Sequence, residues 1–426
     1  MKRLVTDGKL DVRVWILVGL FGWMTGCAPD IPEDEDVERT HVVFDTEQQL
    51  IPLPNNAALE DDGTLPMQEA EPDTAQEDFN AYLDTLHGFL PSTPITIPVS
   101  GPIDEETLEA DDLLVFAFSE EGEASQLEVA DVGFNEETLQ IEAQLAEPPP
   151  FDQNLGYVLR EGVEGEEGEP VVPAQIIALT TFEDPLIDED GEPTTELLEG
   201  REDEAEQLEP LRESMQPLYE AAEESGVERN QVIAAASWST ANDAFAVFDP
   251  DTGQVPIPNN FLLGDDGTVD LPVPEGADEL TTGVIEELNE REGFSTTANG
   301  WVPIDGSPLD PETVDHESVL LATSGGGPPD LYPEERLGIE YREEFDIIDY
   351  YPEMVPFESD LLNAGVVTTD VTDDEGRPIK PSPVFVFLRT EHPVFEDGES
   401  TVDILGDEEA EQLEAARQEY ELLFTT

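Results

Sequence analysis

The residues of this chain that could do chemistry are few and scattered. A nucleophilic serine needs a sharp strand-to-helix turn, which the pentapeptide G-x-S-x-G supplies. The nearest approach to it is Ala322-Thr-Ser-Gly-Gly326, followed by Gly327-Pro-Pro-Asp330. Those residues suit a turn and not a helix, so a catalytic Ser324 is not expected. The four histidines, His41, His87, His316 and His392, lack the H-x-x-x-H or H-E-x-x-H spacing that places two imidazoles on one helix face. No catalytic residue and no transition metal are therefore expected. Calcium has a better case, because several acidic turns offer hard oxygen ligands. Asp188, Asp190, Asp249, Asp251, Asp373 and Asp374 are the candidate Ca²⁺ ligands, in Asp188-Glu-Asp-Gly191, Asp249-Pro-Asp251 and Asp373-Asp-Glu-Gly376. The competing reading is that Asp and Gly simply favour tight turns, and none of these stretches completes an EF-hand loop with its terminal Glu. The Pro54-Asn-Asn56 and Pro258-Asn-Asn260 stretches read first as turns whose Asn side chains satisfy backbone groups.

Cys27, the single cysteine, has the most specific setting. Lys2, Arg3, Lys9 and Arg13 form a positive start, interrupted by Asp7 and Asp11. An apolar run, Val14–Trp23, then closes on Met24-Thr25-Gly26-Cys27. The run is shorter than the ~20 residues that span a bilayer, which fits an export signal and not a membrane helix. Small residues before a cysteine resemble the bacterial lipobox, where the thiol is acylated and the new N-terminus released. Each buried lipid CH₂ contributes ~0.8 kcal/mol, so several acyl chains hold firmly. Residues 1–26 are thus expected to be a lipoprotein signal peptide. Residues 27–40, acidic and Pro-containing, are expected to form a tether. Ala28-Pro29 follow the cysteine, which by the usual sorting pattern of Gram-negative lipoproteins implies the outer membrane.

Charge excludes several classes of partner. The chain of 426 residues has 103 Asp and Glu against 16 Lys and Arg, a formal net charge of -87. Such a chain repels nucleic acid and anionic lipid. The acid is spread along the whole length, which implies adaptation to salt: self-repulsion destabilises at low ionic strength and is screened at high. Hydrophobic residues still make up 38% of the chain, including 19 Phe, so a folded core is expected. With 36 Pro and 32 Gly, that core is expected to be built of short strands and turns.

The elements that position these residues are duplicated. Phe44-Asp45 and Ile51-Pro-Leu-Pro-Asn-Asn56 match Phe248-Asp249 and Val255-Pro-Ile-Pro-Asn-Asn260. Further matches follow in order: Asp62-Gly-Thr64 with Asp266-Gly-Thr268, Gly88-Phe89 with Gly293-Phe294, Pro102-Ile-Asp104 with Pro308-Leu-Asp310, and Glu204–Leu208 with Glu409–Leu413. Ordered matches at a near-constant spacing are the mark of an internal repeat. The expected units are 41–241 and 242–426. Short, bounded apolar runs such as Ile95–Val99, Leu113–Phe118, Leu139–Ala143, Gly156–Leu159 and Gln175–Leu179 predict strands, as does Val232–Trp238. Leu208, Leu211, Met215 and Leu218 predict one helix, with Pro217 a kink and Gly226 its stop. Leu413, Ala416, Tyr420 and Leu423 predict its counterpart. Phe424 aligns with Tyr219, so the second unit is expected to lack the counterpart of 222–241 and to leave a sheet edge open. The fold expected is mainly β: two tandem Ig-like β-sandwich units, each with an accessory helix, the second incomplete.

The motifs F-D, I-P-x-P-N-N, D-G-T-L (Asp62–Leu65) and G-F-S-T-T (Gly293–Thr297) resemble the N-terminal domain of bacterial virulence-factor-type extracellular lipases. Ile95–Leu108 is similar to the opening of a bacterial Ig-like domain of the S-layer kind. The resemblance covers nearly all of the chain after the tether. It implies fold more than activity, since the family's hydrolase domain would follow this region. The resulting expectation is a non-catalytic, lipid-anchored cell-envelope protein that scaffolds or binds envelope or surface proteins. The alternative is the N-terminal portion of a lipase or esterase, and a periplasmic spacer is a third possibility. Oligomeric state stays open at this point.

Overall fold

The computed structural model describes residues 39–424, apart from 47, 49, 61, 68–69, 120, 189, 251–252, 265, 274–275, 325–329 and 359–360. The protein is mainly β. Two compact units divide it: residues 39–69 with 83–242, and residues 70–82 with 243 onward. Helix α1 (Ala75–Leu83) therefore precedes the first sandwich in sequence, yet residues up to Tyr82 are part of the second unit.

The first unit holds two antiparallel sheets. Strands β1 (Ile95–Pro98), β2 (Leu113–Phe118), β3 (Ala124–Leu127), β4 (Val129–Asn135), β5 (Gln140–Leu145), β6 (Asn154–Arg160) and β7 (Val232–Ser239) order as β1-β5-β4 and β3-β2-β6-β7. Side chains alternate across a strand, and here both faces of β2 and β6 find apolar partners. Leu113, Val115 and Tyr157 share a core with Ile95, Ile97, Ile141 and Ala143 of the other sheet. Leu114, Phe116 and Val158 face the opposite way, onto Met215, Leu218 and Tyr219. Those three belong to α3 (Glu202–Glu224), which follows the short helix α2 (Gln175–Thr180). Gly156 permits the close approach of α3 to β6: a Cβ there would lie 2.8 Å from the Leu218 side chain.

Gln175–Leu179 was expected to be a strand and is instead within α2. A run this short carries no periodicity that separates strand from buried helix. Ile176, Ile177 and Leu179 are all buried in a cluster that includes Ala205 and Leu208 of α3, and that packing decides the matter. Strands β3 and β4 were not anticipated: β3 is mostly exposed and no residue of β4 is fully buried, so neither shows a continuous apolar run. Helix α3 continues through both Pro210 and Pro217, and Gly226 follows its end at φ +92.

The second unit repeats the plan. Strands β8 (Ala244–Ala246), β9 (Gly300–Gly306), β10 (Val319–Ser324), β11 (Asp330–Leu331), β12 (Leu337–Arg342), β13 (Ile347–Pro352), β14 (Leu362–Val367) and β15 (Lys380–Pro381) order as β12-β13-β9-β8-β15 and β11-β10-β14. Val302, Ile304 and Ile348 of one sheet meet Val319 of the other in its core. Helices α4 (Glu279–Asn289), α5 (Pro383–Arg389) and α6 (Asp407–Phe424) complete it. Among the described residues, β14 is an edge strand, whereas its counterpart β6 carries β7 along that side.

Candidate functional site

Cys27, Asp251 and the tether up to Glu38 lie outside the described residues. No helix of the described residues is long and apolar enough to cross a membrane. Of the other candidate residues, Asp188 and Asp373 hold their own turns. Asp373 is buried, and its carboxylate accepts from the Arg377 side chain at 2.7 Å and from the backbone N–H of Glu375 and Arg377 at 3.1 and 2.8 Å. Asp188 accepts from the N–H of Asp190 and Glu192 at 2.9 and 3.0 Å, closing its own turn. Asp190 and Asp374 are exposed, and Asp249 pairs through its backbone with Gln254. Among the described residues no group of three or more His, Cys, Asp or Glu side chains is arranged to hold a metal ion. At Asp188 and Asp373 the carboxylate that ties down N–H groups of its own turn has fewer lone pairs left for an ion.

Ser324 ends β10, opposite Leu362 of β14. His41 lies 2.9 Å from the Ser100 hydroxyl, and the His392 N–H donates to the Thr390 hydroxyl. His87 pairs with Thr64 in an isolated bridge. The repeated Asn residues are helix caps. Asn55 accepts from the Ala57 N–H at 2.9 Å, and Asn259 from the Phe261 N–H at 3.0 Å. Asn259 also accepts from the Tyr420 hydroxyl at 3.0 Å. An apolar recess lined by Leu65, Met67, Leu83, Leu86 and Phe89 measures about 10 Å³, roughly the room of one water.

One polar arrangement recurs in both repeats and was not anticipated from sequence. Glu209 and Arg212 of α3 form a buried pair joined by two bonds, at 2.7 and 3.0 Å. Glu209 also accepts from the Leu186 N–H, and Arg212 donates to the carbonyls of Phe182 and Glu183. Glu414 and Arg417 of α6 do the same, with the Val394 N–H and the Thr390 carbonyl as outer partners. The hydrogen bonds from Arg212 hold the Glu209 carboxyl below its ordinary value, against burial. Burial also opposes ionisation of Glu414, but the bonds from Arg417, Gln418 and Val394 outweigh it. Each pair ties the helix to the loop after α2 or α5. The signal available was E-x-x-R at matching places in both repeats, in a chain so poor in Arg.

The surfaces differ between repeats. In α1, Ala75, Phe79 and Leu83 are buried. Phe79 stacks on Phe387 of α5 with ring centroids 4.8 Å apart, and the Tyr82 hydroxyl donates to the Pro381 carbonyl at 2.9 Å. Gln76 accepts from the Asp403 N–H at 2.8 Å, and Asp78 accepts from the Thr390 hydroxyl. In α4, Leu280, Val284 and Leu288 are 76%, 51% and 44% exposed.

Known proteins add little to this geometry. No family model matches the chain, and no curated protein matches it. Among solved structures, it is similar to the crystal structure of the N-terminal part of the bacterial S-layer protein SbsC, at 15% identity and a TM-score of 0.16. That similarity covers 18% of this chain and 18% of the other. A similarity to the S-layer protein rSbsC(31-844) has the same identity and TM-score, over 18% of this chain and 10% of that one. The chain thus spans less than a fifth of either structure's length. The resemblance to the lipase N-terminal domain rests on its motifs alone.

Proposed function

We propose that the protein is a lipid-anchored, non-catalytic cell-envelope protein of a salt-adapted bacterium, acting as a surface scaffold or binding module. The observation that carries this reading is Cys27, the single cysteine, at the close of an apolar run too short to span a bilayer. The net charge of -87 supports it, because an anionic surface cannot itself adhere to anionic lipid and needs an acyl anchor. The duplicated β-rich body supports display over conversion: Asp373, Asp188 and Asn55 all serve turns and caps.

Labelling of growing cells with palmitate, followed by mass analysis of the N-terminal peptide, tests the anchor. Label is expected on the wild type and lost in Cys27→Ser, with the variant recovered in the soluble fraction. Equal membrane retention of an unlabelled Cys27→Ser protein would overturn the reading. The second reading, the N-terminal portion of an extracellular lipase or esterase, is favoured by the F-D, I-P-x-P-N-N and G-F-S-T-T motifs. A hydrolase domain encoded directly downstream of Thr426, in the same reading frame, would establish it.

A further inference from the structure

Helix α4 exposes an apolar stripe that its counterpart in the first repeat buries. The registration is fixed by a shared bridge, Thr64 with His87 in one repeat and Thr268 with Glu292 in the other. Counting back from His87 and Glu292, Ala75, Phe79 and Leu83 occupy the places of Leu280, Val284 and Leu288. The first three are 2%, 0% and 5% exposed; the second three are the exposed set described above. The residues are spaced i, i+4 and i+8 and fall on one helix face. The structure therefore shows what receives such a helix through the place of Tyr82: the α5 face of a repeat, where Phe387, Pro381, Thr390 and Asp403 meet Phe79, Tyr82, Asp78 and Gln76, while Leu83 lies with Leu65 and Met67 of the first repeat.

An equivalent receiving face exists on the first repeat. Arg212 bonds the Phe182 carbonyl as Arg417 bonds that of Thr390, so Phe182 stands where Thr390 stands. The Leu198 N–H bonds the Thr195 carbonyl as the Leu405 N–H bonds that of Val402, so Glu196 and Leu197 stand where Asp403 and Ile404 stand. Thr390 and Ile404 are 8% and 3% exposed in the second repeat, where α1 is seated. Phe182 and Leu197 are 36% and 53% exposed in the first. The small and large partners also exchange: Gly283 of α4 holds the place of Asp78, and Phe182 the place of Thr390, so a ring meets a residue without a side chain.

We infer that copies of this chain associate head to tail, with helix α4 of one copy docking on the α2 face of the next copy's first repeat. The contact is heterologous, since donor and receiver are different surfaces, and it extends into a line of copies unless the rotation closes a ring. Both surfaces belong to a chain of net charge -87, so like charges oppose the contact at low ionic strength. Association is therefore expected only in high salt, where charges more than roughly 3 Å apart are screened at about 1 M. The inference goes beyond the membrane-anchor reading and does not depend on it.

The test uses the full chain with Cys27→Ser, so that an introduced cysteine is the sole thiol. One preparation carries Thr281→Cys and the other Glu196→Cys, the places of Gln76 and Asp403. Mixed in about 1 M NaCl under a mild oxidant, the two should give the mixed disulfide dimer as the main product. Val284→Glu in the Thr281→Cys preparation should lower its yield roughly tenfold, because a carboxylate would enter an apolar contact. A chain carrying both cysteines should give a ladder of higher species. Far-UV circular dichroism verifies that the α4 variants fold, as expected for substitutions at exposed positions. No mixed disulfide at any salt, or equal crosslinking by Thr281→Cys alone, would overturn the inference. So would association that survives Val284→Glu but is lost in Gly365→Pro, which would place the contact on strand β14. Because the lipid-free variant is used throughout, failure here leaves the Cys27 reading untouched.

Discussion

The two repeats solve one packing problem with a tyrosine placed in opposite sheets. In the first, Tyr157 of β6 is fully buried, and its hydroxyl lies 3.4 Å from the Leu53 carbonyl. Its place in the second repeat is Gly365, because Tyr157 pairs with Val115 as Gly365 pairs with Leu321. There the ring comes from Tyr350 of β13, whose hydroxyl donates to the Ile257 carbonyl at 3.1 Å. Leu53 and Ile257 are the same position of the I-P-x-P-N-N motif. Tyr350 in turn stands where the first repeat has Ala143, and Gly300 where it has Ile95. A Cβ at Gly300 would lie 2.2 Å from the Tyr350 ring. Large and small side chains have changed places while the total filling is kept, which is how cores tolerate substitution. What stays constant is the hydrogen-bond partner: a buried carbonyl needs a donor, and either sheet can supply it.

The largest effect that would break this comparison is Tyr157→Gly. It should destabilise the first unit by about 4 kcal/mol through the cavity it leaves. The triple change Ile95→Gly, Ala143→Tyr and Tyr157→Gly copies the second repeat's solution. It should recover at least half of that loss in urea unfolding followed by Trp fluorescence. A triple variant no better than the single one would mean that the exchange is not the compensation described here.

The buried ion pairs sharpen the likeness of the repeats. Glu209→Gln and Glu414→Gln should each cost about 3 kcal/mol, because an Arg is left buried without its carboxylate. Both carboxyls are held below the ordinary value of 4.5. Their contribution is therefore complete above about pH 4.5 and lost as pH falls through the lower folded-state values. At low salt the chain's self-repulsion relaxes over the same range and opposes that loss, so the acid-side fall should be steeper in high salt than in low. The two Gln variants should lack part of that acid-side fall. An unchanged acid limb in both would remove the pairs from the account.

The caps give a smaller contrast. Asn55→Ala should cost about 1 kcal/mol, the usual value of a lost cap. Asn259→Ala should cost about 2 kcal/mol, since the Tyr420 hydroxyl also loses its acceptor. Equal values in thermal unfolding would show that the bond from Tyr420 adds nothing. Salt should separate the repeats least of all. The acid is spread along the chain, so NaCl should raise both unfolding midpoints together, and a rise confined to one unit would contradict distributed repulsion.

The edge position of β14 needed the sheet order. Among the described residues β14 lies beside β10 alone and Val366 is 44% exposed, whereas β6 is buried between two neighbours. The exposure of α4 was hidden more deeply. Its stripe of Leu280, Val284 and Leu288 reads like that of any helix packed on a core. Only the placement of α1 in the second unit shows that such a stripe seeks a neighbouring repeat.

Sequence alone determined the β class, the duplication, the anchor expectation at Cys27 and the absence of an expected nucleophile, because these rest on residue type and short-range order. Short apolar runs bounded by turn residues placed β2, β6 and β7, and alternation placed β5, since a strand with one buried face repeats every second residue. Tertiary structure decided the rest. It made Gln175–Thr180 a helix, moved α1 into the second unit, buried the Glu209–Arg212 pair against Leu186 and Phe182, and exchanged Tyr157 for Tyr350. Each of these depends on a partner far along the chain, and local pattern carries no record of which distant surface a side chain will meet.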